Sequence, residues 1–208
     1  MAADDAWADE EFRDEDWYAR DLSGMTFRHC TFRDVDLTAV VTQATSFESC
    51  TFANCRLNAS THTATAFIAC EIARTSLFSA TLDGCKIAGS VFVGCTLRPL
   101  TVRGGQWRGV VMRGADLTGL DLSGVVLAEA DLSEADLSGT SLQGCDLSRA
   151  VLRNATLHDT DLRGATLHAV DLEVAELRDT KLDISGAVAV AEAFGATVDT
   201  EFVRGYSR

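Results

Sequence analysis

Seven cysteines, four histidines and a long series of aspartates are the side chains of this sequence with chemistry to offer. A metal site built on thiolates would need closely spaced pairs of the C-x-x-C kind and a fourth ligand, whereas the cysteines stand at 30, 50, 55, 70, 85, 95 and 145. Nucleophilic catalysis would need a base beside a thiol or hydroxyl, and His62 has no second histidine near it in the chain. The acids are different: Asp116, Asp121, Asp131, Asp136, Asp161 and Asp171, with Glu176, recur at multiples of five residues. Carboxylates repeated along a rigid support could imitate the phosphates of duplex DNA, which carries one charge per ~1.7 Å of axis.

Whatever positions these acids must itself count in fives. From Leu117 to Leu182 every fifth residue is leucine, fourteen times running. An α-helix would rotate successive members of such a series by about 140°, and a strand would flip them from face to face. A coil that turns a corner every five residues points each fifth side chain at a common axis, and four corners close a square turn of twenty. The frame extends backwards without slipping through Trp107, Phe92, Phe67, Phe52, Phe47, Phe32 and Phe27 to Phe12; of its thirty-five positions only Thr42 and His62 are polar. Nearly nine coils result, a column of roughly 42 Å at the strand spacing, aromatic in its early centres and aliphatic in its late ones.

This frame assigns the reactive residues. Every cysteine falls two positions before a centre, an inward site for small side chains, where a thiol acts as a small hydrophobe. Cys30, Cys50 and Cys70 stack in one column with parallel Cβ vectors too far apart for the usual disulfide, so free thiols are expected. His158 and His168 fall on opposite faces, and no triad assembles. Thr42 and His62 share a column, which predicts a loosened or bulging face in two adjacent coils, with a projecting patch for a partner as the functional alternative. The residue before each centre points outward: Asp16, Asp36, Asp116, Asp136 and Glu176 share one column, Asp21, Asp121 and Asp161 the next, and Glu11, Glu71, Asp131 and Asp171 a third, while the fourth holds Asp146 alone. Arg98, Arg103, Arg108 and Arg113 put one arginine on each face of a single coil, as a neutralising ring, as a limit to the acidic surface, or as solvated corners.

Ala115-Asp116-Leu117-Thr118-Gly119, Ala135-Asp136-Leu137-Ser138-Gly139 and Ala165-Thr166-Leu167 resemble the A(D/N)LXX consensus of pentapeptide repeat proteins. That resemblance implies an all-β solenoid, a right-handed quadrilateral β-helix. The run Gly89 to Thr101 around Pro99, the segment Glu11 to Asp16 and the ending Asp183 to Ala191 resemble the MfpA-like, fluoroquinolone-resistance branch of the family. The branch implies a cytoplasmic homodimer that binds DNA gyrase, a type II topoisomerase, as a DNA mimic, with the acids from Asp116 to Glu176 as the gyrase-binding surface. A structural scaffold for an unrelated protein partner is the alternative.

After Leu182 the five-residue rule stops. Ser185 reads as an N-cap, Ala187, Val188, Val190, Ala191 and Phe194 as an apolar helical stripe, and Gly195 as a C′ stop; the stripe is expected either to cap the end coil within the chain or, as the resemblance implies, to pair with its twin in a two-fold dimer. Three parts are therefore expected: an acidic segment over 1–11, the β-helix over 12–184, and a helix with its tail over 185–208. The acidic start is unlike a signal peptide and no run of eighteen apolar residues exists, so a soluble cytoplasmic protein is expected. The net charge of −13 disfavours direct binding to nucleic acid, although residues 1–16 carry more than half of it, with eight acids against Arg13 alone. A two-fold dimer would be a rod of roughly 85 Å with about one charge per 3 Å, half the linear density of DNA, so mimicry must rest on local columns. No enzyme activity, cofactor or metal is expected.

Overall fold

In a computed structural model, which describes residues 6–199, the chain winds as a parallel β-solenoid whose rungs stack every twenty residues. The first face is the sheet β1 (Ala6–Ala8), β3 (Thr26–Arg28), β6 (Ser46–Glu48) and β9 (Ala66–Ile68). The second is β2 (Glu11–Arg13), β4 (Thr31–Arg33), β7 (Thr51–Ala53), β10 (Glu71–Ala73) and β12 (Val91–Val93). A third face, that of Leu37, Leu57 and Leu77, is joined by single bridges such as Asp36↔Arg56 and Arg56↔Ser76. The fourth holds β5 (Val41–Gln43), β8 (Thr61–Thr63), β11 (Ala80–Asp83) and β13 (Leu100–Arg103).

The centre of each rung selects its form. Every Phe-centred rung is a three-residue strand, whereas most leucine-centred rungs reduce to one bridge and a turn, with Leu82 in a strand and Leu97, Leu177 and Leu182 keeping the bridge without the turn. The rings stack from coil to coil, Phe32 on Phe52 at 4.7 Å and Phe27 on Phe47 at 5.0 Å, so their thickness matches the rung spacing. Beyond Trp107 the core becomes aliphatic, with Leu122, Leu127, Leu132 and Leu137 fully buried. Apart from Pro99, each corner from Asp9 to Asp179 is made by the residue two after a centre in the left-handed conformation, whether Gly124 (φ 71°) or a non-glycine such as Glu129 (φ 62°).

The inward cysteines do more than fill space. A strand-type rung has no turn amide to satisfy the carbonyl of its centre, and a side chain twenty-three residues later supplies the donor. Cys50 donates to Phe27 O, Cys55 to Phe32 O at 3.3 Å, Cys70 to Phe47 O and Cys85 to His62 O, while Thr75 and Ser90 serve Phe52 and Phe67 in the same way. All seven thiols are free, and burial pushes those of Cys55, Cys85 and Cys145 up to about 11, which keeps them protonated donors.

Three expectations change. The solenoid starts before residue 12: Trp7 of β1 pairs with Phe27 of β3, which places the segment from Ala6 within the first coil, whereas Asp4 and Asp5 lie outside the described residues. The face of Thr42 and His62 neither loosens nor bulges, since β5 and β8 pair in register and both side chains are 1% exposed. Their polarity is absorbed inside: Thr42 Oγ1 lies 2.7 Å from His62 Nδ1 and 2.7 Å from Thr65 Oγ1, and Ser60 Oγ lies 2.9 Å from His62 Nε2. Finally, helix α1 (Ile184–Ala193) is capped by Asp183 in place of Ser185, because the Asp183 carboxylate accepts from Gly186 N and also from Gly164 N of the preceding coil, each at 2.7 Å. Gly195 follows the helix with φ 85°, as a C′ residue should.

Candidate functional site

An aspartate one residue before a centre sits where its carboxylate can accept the amide two residues on. Ser123 N donates to Asp121 at 3.0 Å, Ser138 N to Asp136 at 2.9 Å and Ser133 N to Asp131 at 3.1 Å, with Thr118, Arg163 and Glu173 doing the same for Asp116, Asp161 and Asp171. This local turn explains why the repeat favours aspartate there, and it fixes the direction in which each carboxylate projects.

The candidate acids then divide by their partners. Asp131 is joined by Arg113 Nε at 2.6 Å and Asp171 by Arg153 at 2.9 Å. Asp161 is 8% exposed, held by Arg163 and Gln143, and its pKa lies far below the usual carboxylate range because of the Arg163 bond. Asp116 takes both oxygens to Arg98 Nη1, at 3.1 and 3.2 Å; partial burial pulls its pKa up, but the bonds from Thr118 and Arg98 outweigh this and lower it. Glu176 meets His158 at 3.1 Å. Asp121 and Asp136 have no cation within ion-pair distance among the described residues; the Ser123 hydroxyl and amide lower the pKa of Asp121. Only Asp116 and Asp136 are neighbours on successive rungs, since Ser141 separates Asp121 from Asp161 and Val151 separates Asp131 from Asp171.

The arginine ring is spent on pairing: Arg98 with Asp116, Arg103 with Asp83 at 4.0 Å, Arg108 with Glu129 at 3.4 Å and Arg113 with Asp131. It also marks a step in net charge that column-by-column reading misses. Residues 1–113 carry eleven Lys and Arg against fourteen acids, with eight of those acids in residues 1–16, whereas residues 114–183 carry fourteen acids against five bases, a net of −9.

At the same level the ladder opens. Pro99 falls on a corner position, where its ring holds φ near −65° and excludes the left-handed turn; the Arg98–Pro99 peptide is cis, and the chain runs on extended through Leu100–Arg103. No backbone hydrogen bond links residues 96–104 to residues 116–123, although the first two faces stay joined through Gln106↔Val126 and Val111↔Asp131. The frame counts through proline, so the five-residue period alone gave no sign of this seam; the signal was a proline at a position whose φ must be positive. A cleft of about 680 Å³ lies there, lined by Leu97, Pro99, Leu100, Leu120, Asp116 and Asp121.

Helix α1 lies against the last coils through Gly186, Ala189 and Val190, so Val190 of the expected dimerisation stripe faces inward. Ile184 is 86% and Phe194 59% exposed; with Ala187, Val188 and Ala191 they form the outer face at i, i+3, i+4, i+7 and i+10. Phe202 and Tyr206 of the tail lie outside the described residues.

A family description, "Pentapeptide repeats", matches residues 130–168 with eight copies. No curated protein sequence matches the chain. Among solved structures the chain is similar to HetL, a pentapeptide repeat protein involved in heterocyst differentiation regulation from the cyanobacterium Nostoc sp. strain PCC 7120, with 22% identity, 84% of this chain and 88% of that one covered, and a TM-score of 0.56. It is also similar to a trypsin-treated form of QnrB1, a plasmid-mediated fluoroquinolone resistance protein, with 21% identity, coverage of 93% and 97%, and a TM-score of 0.60. Full-length QnrB1 gives 19% identity, coverage of 92% and 100%, and a TM-score of 0.53. At these identities the likeness shows the fold.

Proposed function

We propose that this chain, whose residues 130–168 match the pentapeptide-repeat family model and whose solenoid is similar to those of pentapeptide repeat proteins, acts by surface recognition, as a cytoplasmic, dimeric DNA mimic that binds DNA gyrase and modulates its activity and quinolone sensitivity. The observation that carries the reading is the segregation of charge: net −9 over residues 114–183, next to the helix whose outer face is apolar. Two copies joined through Ile184, Ala187, Val188, Ala191 and Phe194 would bring two such halves end to end. At ~4.8 Å per twenty-residue coil they span roughly 34 Å, which gives about one net charge per 2 Å, close to the ~1.7 Å of duplex DNA. The full-length rod is more dilute because residues 1–113 add only a net −3 per copy.

Asp121 and Asp136 are the carboxylates best placed to meet lysines and arginines of the enzyme, since neither has a cation within ion-pair distance among the described residues. The fluoroquinolone-resistance role stated for QnrB1 is consistent with this target. Purified protein should inhibit gyrase supercoiling, and Asp121→Asn with Asp136→Asn should weaken that inhibition about tenfold and reduce its salt dependence. Supercoiling and quinolone-induced cleavage that are indifferent to the wild-type protein would refute the proposal, and the scaffold reading, favoured by the structural use of most other acids, would then stand.

A further inference from the structure

The seam leaves backbone groups facing one another without partners. At an ordinary rung the amides of Asp116 and Asp121 would donate to Cys95 O and Leu100 O, and those of Leu97, Val102 and Gly104 to Asp116 O, Asp121 O and Ser123 O; none of these bonds forms here. The side chains that should seal the core are correspondingly less buried: Cys95, Leu100, Val102 and Ala115 are partly exposed where their counterparts in other coils are covered. One side-chain strap crosses the opening, from Arg98 Nη1 to both oxygens of Asp116.

From these features we infer that the seam is a docking slot for an extended peptide segment of a partner protein, which adds as a strand to the free backbone edges. Unpaired strand edges are templates for such addition, because main-chain hydrogen bonds supply affinity without regard to sequence. The side chains set the sequence that fits. Leu97, Pro99, Leu100 and Leu120 offer an apolar floor, and Asp121, with no cationic partner among the described residues, offers an anion at the rim. A strand alternating apolar and basic residues puts its apolar side chains on that floor and a Lys or Arg against Asp121. The cleft of about 680 Å³ is of the size that holds a bound segment of a few residues. The inference does not depend on gyrase as target, since any partner with such a segment would serve.

The test uses the full chain and a fluorescent Val-Lys-Val-Lys-Val-Lys peptide with blocked ends. Binding should weaken at least tenfold when Lys is replaced by Glu, and at least tenfold when alternate backbone nitrogens are methylated, since methylation removes donors and leaves the side chains. In the free protein the amides of Leu97, Val102, Asp116 and Asp121 should exchange with deuterium faster than those of Leu117, Leu122 and Leu137, and the peptide should slow the former group. Pro99→Gly permits the left-handed corner, so it should slow the same amides without peptide and weaken binding at least tenfold. Equal binding of the methylated peptide, or protection outside the seam, overturns the inference even if the Pro99→Gly protein fails to fold; equal binding by a folded Pro99→Gly protein does so as well.

Discussion

His62 offers the sharpest quantitative prediction, because it is an ionisable group sealed in the core with a complete set of neutral partners. Ser60 Oγ donates to Leu57 O at 2.6 Å, so it must accept from His62 Nε2, which carries the proton. Thr42 then donates to Nδ1, and Thr65 directs its one proton to Thr42 at 2.7 Å in preference to Thr63 O at 3.3 Å. Phe67 packs edge-on at 5.4 Å, and no charged group touches the ring. Burial lowers the His62 pKa to about 4, against an ordinary value near 6.5. Between those two values the unfolded chain takes up a proton that the folded chain refuses, so stability falls as pH drops from about 6.5 to 4 and is level outside that window. At about 1.4 kcal/mol per unit the loss is about 3 kcal/mol, or roughly 6–12 °C in melting temperature for a chain of this length. Urea unfolding at a series of pH values, compared between the wild type and a Thr42→Val/His62→Leu double variant, isolates this contribution because all other groups titrate in both proteins. The difference in stability between the two should shift by about 3 kcal/mol across the window, and nitrogen shifts of the ring should show the Nε2–H tautomer. Parallel pH profiles would refute the reasoning.

Other consequences follow from single contacts. Cys55→Ala leaves the Phe32 carbonyl without its donor and should cost about 2 kcal/mol in denaturant unfolding, whereas Cys55→Thr should be tolerated because Thr75 makes the same bond one coil on. Gly105→Ala would place a methyl group 2.5 Å from Cys85 O, at φ 129°, and should destabilise by about 3 kcal/mol or prevent accumulation of folded protein. Asp183→Ala removes both the helix cap and the bond to Gly164 N, and should lower stability by about 2 kcal/mol, with loss of helical circular dichroism and of any dimer seen by light scattering.

The repeat made the fold legible because a period of five leaves one economical solution, and the model bears out its frame from Phe12 through Leu182. What the period could not convey lies in chemistry that it averages over. A thiol, a serine and a threonine look like interchangeable small fillers until their shared acceptor, twenty-three residues back, is seen. Thr42 and His62 read as a defect because their partners, Ser60 and Thr65, occupy small-residue sites of the same frame. The outward aspartates are visible, but their turn bonds and arginine partners depend on neighbours two and eighteen residues away, so the seven candidate acids resolve into four held by arginine, Glu176 beside His158, and Asp121 and Asp136 with no such partner among the described residues. Pro99 kept the count while breaking the ladder, since spacing registers residue number and not φ. The helix start moved from Ser185 to Asp183 because the better acceptor also reaches the coil below.

The open ladder also has a mechanical meaning. A rung bonded on four sides resists tilting in every direction, but the coils meeting at Pro99 are bonded only on two adjacent sides. They are therefore joined as covers are along a spine, and bending energy concentrates in that one junction instead of spreading along the column. Coils of mixed charge lie on one side of the spine and strongly acidic coils on the other. Its opening angle sets the orientation of the two surfaces, so a partner that engages both would read, or impose, one particular bend.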